Sequence, residues 1–92
     1  MSARGHGLGM AIDADPQARW SVSWELHRRD GLRRLAFAGA GSVDRSLPGL
    51  GGDCRVTLIA GDALTLTVTD ASGIRSRTSV KGAGSVVRLR AG

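Results

Sequence analysis

Cysteine occurs once, as Cys54, so an intramolecular disulfide framework is excluded. A single thiol suits a reducing compartment. Tyrosine is absent, and the aromatics are Trp20, Trp24 and Phe37. Glutamate and lysine appear once each, as Glu25 and Lys81, which leaves few of the surface residues that favour helix. No apolar run approaches the roughly 20 residues of a membrane-spanning helix. Residues 1–12 hold no uninterrupted apolar stretch of signal-peptide length, so the expected location is cytoplasmic or particle-associated, without Sec-type export.

What remains is abundant in a particular way. The 92 residues are 41% hydrophobic, enough for one globular domain over 1–92 with a thin core. Such a domain buries roughly 60–65% of the surface that its unfolded chain exposes. Thirteen basic residues against eight acidic ones give a net charge of +5, and all the basic residues except Lys81 are arginine. Codon bias accounts for an arginine excess as readily as selection for a carboxylate-rich or polyanionic partner does.

Alternation with period two, the strand signature, recurs along most of the chain. After a Gly-rich leader at 1–9, expected to be flexible, Leu8, Met10, Ile12 and Ala14 alternate with small or polar residues up to Pro16. Trp20, Val22, Trp24 and Leu26 form the clearest set, and Leu35 and Phe37 follow beyond Asp30-Gly31. A type I′ turn at that dipeptide pairs Leu26 with Leu35 and Trp24 with Phe37. The competing helix over 24–38 has Gly31 in its middle, which disfavours it. Residues 39–53 read as a long connection containing a short edge strand at 42–47, and this connection lets the chain cross between sheets. Residues 55–90 read as a four-strand meander. The 61–63 loop pairs Leu58 with Leu66, and Ala71-Ser72-Gly73 pairs Val68 with Ser76 and Leu66 with Thr78. A tight turn at Gly82-Ala83 brings the last strand back beside the one before it.

About seven short strands with frequent turns predict an all-β fold, a small antiparallel sandwich or a Greek-key or meander barrel. The stretch from Gly61 to Gly73, GDALTLTVTDASG, and the strand around Val22-Ser23-Trp24 resemble bacterial and phage immunoglobulin-like domains over about a quarter of the chain. This resemblance implies an adhesive or structural module, often part of a larger assembly such as a virion or tail, without catalytic residues or cofactors.

The meander register places Arg77 opposite Arg88 and Arg75 opposite Arg90 on an outer face shared with threonines. Arg28, Arg29, Arg33 and Arg34 cluster at the first hairpin tip, where guanidinium groups can pair with phosphates. A solvated sheet face and a soluble turn are the plain alternatives for these two clusters. With all three aromatics on inward positions, the stacking platforms of nucleic-acid readers are missing. His6, His27 and Cys54 have no metal-site spacing, and Asp13, Asp15, Asp44, Asp53 and Asp62 form no calcium loop, so no metal or cofactor is expected. Cys54 is in phase with Val56 and Leu58 and reads as a buried apolar residue.

The expected function is a non-catalytic interaction module that works with a protein partner or as a homo-oligomer. A small basic nucleic-acid or polyanion binder using the Arg clusters is the alternative. An enzyme subunit relying on His27 is a third, weaker option. The strand at 8–14 either pairs within the domain or is lent to a neighbour.

Overall fold

A computed structural model describes residues 8–47, 51–70 and 72–91. The described residues form eight strands: β1 (Leu8–Ala14), β2 (Arg19–Arg28), β3 (Gly31–Ala40), β4 (Val43–Leu47), β5 (Gly51–Ala60), β6 (Ala63–Thr69), β7 (Arg75–Lys81) and β8 (Val86–Ala91). They form two antiparallel four-stranded sheets, ordered β4-β1-β6-β7 and β3-β2-β5-β8. The architecture is a sandwich and not a closed barrel. Of the expected leader at 1–9, residues 1–7 lie outside the described residues, while Leu8 and Gly9 pair as part of β1.

The inward side chains follow the alternation. Trp20, Val22, Trp24 and Leu26 of β2 face Leu8, Met10 and Ile12 of β1 and Leu64, Leu66 and Val68 of β6 across one core. Among the described residues no polar or charged side chain is buried with them. Two indole N–H groups would be costly in such a core without acceptors. Trp24 Nε1 donates to Met10 Sδ of the facing sheet at 3.2 Å, and Trp20 Nε1 donates to the Gly41 carbonyl at 2.9 Å. Phe37 meets Trp20 edge to face, with centroids 6.1 Å apart.

The β2–β3 hairpin forms with its register moved by two residues from expectation. Arg28 pairs with Gly31, Trp24 with Leu35, and Val22 with Phe37. The turn residues are therefore Arg29-Asp30 instead of Asp30-Gly31. A type I′ turn needs positive φ at both central positions, and only Gly31 takes it, at 135°. Moving the turn by one residue shifts pairing by two, so every side chain keeps its expected face.

The second hairpin agrees with expectation: Val68 pairs with Ser76 and Leu66 with Thr78. Its turn is held by Asp70, whose carboxylate accepts from Ser72 Oγ at 2.7 Å, Ile74 N at 2.9 Å and Ser72 N at 3.0 Å. These bonds hold the Asp70 carboxyl below its ordinary range, the Ser72 hydroxyl contributing most. Ile74 lies just outside β7 and is exposed.

The meander does not form. The β5→β6 and β7→β8 connections cross from one sheet to the other, so Leu58 does not pair with Leu66. Instead β5 lies between β2 and β8, and β6 lies between β1 and β7. A two-residue link, Gly61-Asp62, suits a hairpin or a corner equally by its length. Here Gly61 has φ 115° and packs so closely on Ala18 that a Cβ would stand 2.8 Å from the Ala18 methyl. That contact directs the chain out of the plane of β5. The 82–85 loop makes the return crossing, hydrogen-bonded to Leu58 through Gly84 N (2.7 Å) and Ser85 O (2.9 Å). β1 is an interior strand paired with β4 and β6, which places it within the domain.

Gly61→Ala should destabilise the fold by about 2–4 kcal/mol, combining left-handed backbone strain with the Ala18 collision. Urea unfolding followed by tryptophan fluorescence checks this, and an unchanged midpoint would contradict the corner assignment.

Candidate functional site

Separation of β7 from β8 dissolves the expected four-arginine face. Arg75 and Arg77 project from the outer face of the first sheet, opposite Thr69 and Thr67. Arg88 and Arg90 project from the outer face of the second, opposite Arg55 and Asp53. Within the first sheet, charge is divided by edge. Asp44 and Asp13 sit on the β4–β1 side and Arg75, Arg77 and Lys81 on β7, with Thr65, Thr67 and Thr69 between. Thr65 Oγ1 and Ser79 Oγ are hydrogen-bonded at 2.8 Å.

The outer face of the second sheet is the more distinctive surface. Its rows run Arg34, Glu25, Asp53, Arg90 and then Ala36, Ser23, Arg55, Arg88. Arg90 Nε donates to Asp53 Oδ1 at 2.9 Å, which together with the carboxylate charge raises the Arg90 pKa. Arg34 Nε stands 3.6 Å from Glu25 Oε2. In the next row Arg55 and Arg88 face each other, a like-charged pair that disfavours the sheet slightly. An open depression of about 800 Å³ lies over these rows. Beside it Ser21, Ser23, Ala36, Ala38 and Thr57 form a floor of small side chains.

The structure does gather the other cluster, Arg28, Arg29, Arg33 and Arg34, around the β2–β3 tip, where all four are exposed. Arg28 Nε stands 3.9 Å from Asp30 Oδ1. Arg33 is in the inward phase with Leu35 and Phe37, opposite Leu26, while Arg34 is in the outward phase.

Sequence reasoning missed two features. Arg45 of β4 pairs with Met10, so it occupies an inward phase, and its guanidinium lies 4.0 Å from the Phe37 ring centroid. It thereby covers the open side of the core between β4 and β3. Its position midway between Val43 and Leu47 at period two was the available signal. The second is the free edge of β3. The Gly41 N–H donates to the Ala18 carbonyl at 2.9 Å, in line with the β2–β3 register. Because bonded and non-bonded pairs alternate in an antiparallel ladder, odd-numbered β3 residues bond to β2. Leu32, Arg34, Ala36, Ala38 and Ala40 then direct their N–H and C=O groups outward. Among the described residues, only β2 pairs with this strand.

Cys54 is buried between Trp24 and Leu89 in the register, and burial pushes its thiol from 9.0 up to about 12. His27 is exposed, beside Leu32 and Gly51. Among the described residues no three His, Cys, Asp or Glu side chains converge as metal ligands, and no helix is long and apolar enough to cross a membrane. No family model, curated protein or solved structure matches the chain.

Two outcomes follow. A thiol reagent at pH 8 should leave native Cys54 unmodified and react once urea unfolds the chain. Since the folded pKa is the higher one, the stability linked to this thiol is complete below pH 9 and declines as pH rises towards 12. Arg45→Ala should cost about 0.5–1 kcal/mol through the lost ring contact, measured by urea unfolding.

Proposed function

We propose that the protein is a non-catalytic interaction module that docks onto a larger protein assembly, with the outer edge of β3 as its docking element. The observation that supports this reading is the ten-residue length of that edge. The other edge strands, β4, β7 and β8, have five, seven and six residues. Short length and projecting charges are the usual protection of an edge. β4 carries the inward-phase Arg45, β7 carries Arg75, Arg77 and Lys81, and β8 carries Arg88 and Arg90. On β3, charge stops at Arg34, and the remaining residues are Leu35, Ala36, Phe37, Ala38, Gly39 and Ala40.

The floor of small side chains beside β3 adds room for a partner to approach closely. The thin core of a 92-residue chain also gains stability when a partner covers an edge. The resemblance of the Trp24 strand and the 61–73 hairpin to immunoglobulin-like domains favours an adhesive or structural role. A virion or phage-like decoration or tail component is the assembly it suggests.

The gathering of Arg28, Arg29, Arg33 and Arg34 at one tip favours a second reading, a binder of nucleic acid or another polyanion. Steep loss of retention with added salt distinguishes it.

A photoreactive residue in place of Ala38 tests the first reading in the producing cell. The expected result is a discrete protein adduct, reduced by Ala36→Pro and missing when the probe replaces Ser79 on the opposite outer face. Equal labelling from both positions rejects the β3 edge, and nucleic-acid adducts favour the second reading.

A further inference from the structure

We infer that the strand received by the β3 edge is an extended acidic segment of a partner protein. This rests on the docking reading above and adds the chemistry of the partner. A strand laid along β3 exchanges backbone hydrogen bonds with Leu32, Arg34, Ala36, Ala38 and Ala40, and its side chains alternate between the two faces of the sheet. On the inner side those side chains meet Arg33 and the Arg45 guanidinium held over Phe37. On the outer side they meet Arg34. The lane is therefore positive on both faces.

The nearby carboxylates neutralise it only in part. Asp30 stands 3.9 Å from Arg28, and Glu25 at 3.6 Å from Arg34 is a partial counter-charge on the outer face only. Asp44 belongs to the outer phase of β4, on the far side of the other sheet. Carboxylates of an incoming strand placed beside Arg33, Arg34 and Arg45 would each meet a guanidinium, a charge-assisted pairing that selects the partner as well as attracting it.

Two competing occupants fit less well. A second copy of β3 brings only Gly, Leu, Arg, Ala and Phe, which adds two arginines and no carboxylate to the lane. A phosphodiester backbone supplies acceptors for the outward N–H groups but no donors for the outward carbonyls. A polypeptide satisfies both.

The probe is a blocked peptide matching the ten residues of β3 in length, made of Val, Thr, Glu and Asp with carboxylates on both faces. Its control has Lys at every acidic position. Binding is read by fluorescence anisotropy, and the site by amide hydrogen exchange. The acidic peptide should bind at least about tenfold more tightly than the control. It should protect the amides of residues 34, 36 and 38, and weaken by at least about tenfold with the paired change Arg33→Glu and Arg34→Glu.

Ala38→Pro removes an outward N–H without touching the β2 ladder and should abolish binding with little change in melting temperature. Equal binding of the lysine peptide, or indifference to the arginine reversals while Ala38→Pro still blocks, overturns the acidic partner and leaves docking intact. Binding unaffected by Ala38→Pro, or no protection in β3, overturns the edge itself. A dimer that Ala38→Pro dissociates, with no peptide binding, makes a second copy the occupant and rejects this inference.

Discussion

Trp24 is the side chain on which the sandwich depends. It is among the largest fully buried groups, and its indole N–H requires an acceptor inside an otherwise apolar core. Met10 of the facing sheet supplies that acceptor, at 3.2 Å. A soft thioether accepts the N–H without introducing a polar group of its own that needs satisfying. The contact joins the two sheets, linking β2 to β1 across the core. Trp20 is satisfied locally, by the Gly41 carbonyl where the chain leaves β3 for β4. Both indole N–H groups of the core are thus satisfied, one across the sheets and one at the end of the β2–β3 ladder.

A sandwich of two four-stranded sheets has four edges, and the protein treats them unequally. On one side β7 and β8 present their cations to solvent from short strands. On the other, β4 folds Arg45 inward over Phe37 and closes the gap at the core's margin. β3 is left long, mostly uncharged and unpaired on its outer side among the described residues. Edges of this kind are costly to leave open, because each outward N–H and C=O is a template for another chain. The proposed docking role gives those groups their partner, and the arginines around them set its charge.

Much of this was legible in local pattern. The strands β1, β2, β3 and β6, the inward set on β2, the burial of Cys54 and the pairing of β6 with β7 all follow from period-two alternation and turn chemistry. The register of the first hairpin was displaced because two neighbouring dipeptides, Arg29-Asp30 and Asp30-Gly31, give the same facing pattern. Only the sign of φ at Asp30 separates them. The arginine face at 75–90 failed for a different reason. Its residues were correctly placed outward, but on strands assumed to be neighbours.

Which face each side chain takes is a property of the strand alone, since alternation follows from the pleat, and the amino-acid sequence determined it almost everywhere. Which strands lie side by side is a property of the whole chain. A short Gly-containing link such as Gly61-Asp62 serves a hairpin and a corner alike. The choice came from Gly61 packing against Ala18, from β5 having both edges taken by β2 and β8, and from the 82–85 loop bonding to Leu58. Those contacts join residues far apart in the chain, so only the tertiary structure decided that Arg75 and Arg77 share no face with Arg88 and Arg90, and that among the described residues the edge of β3 stays open.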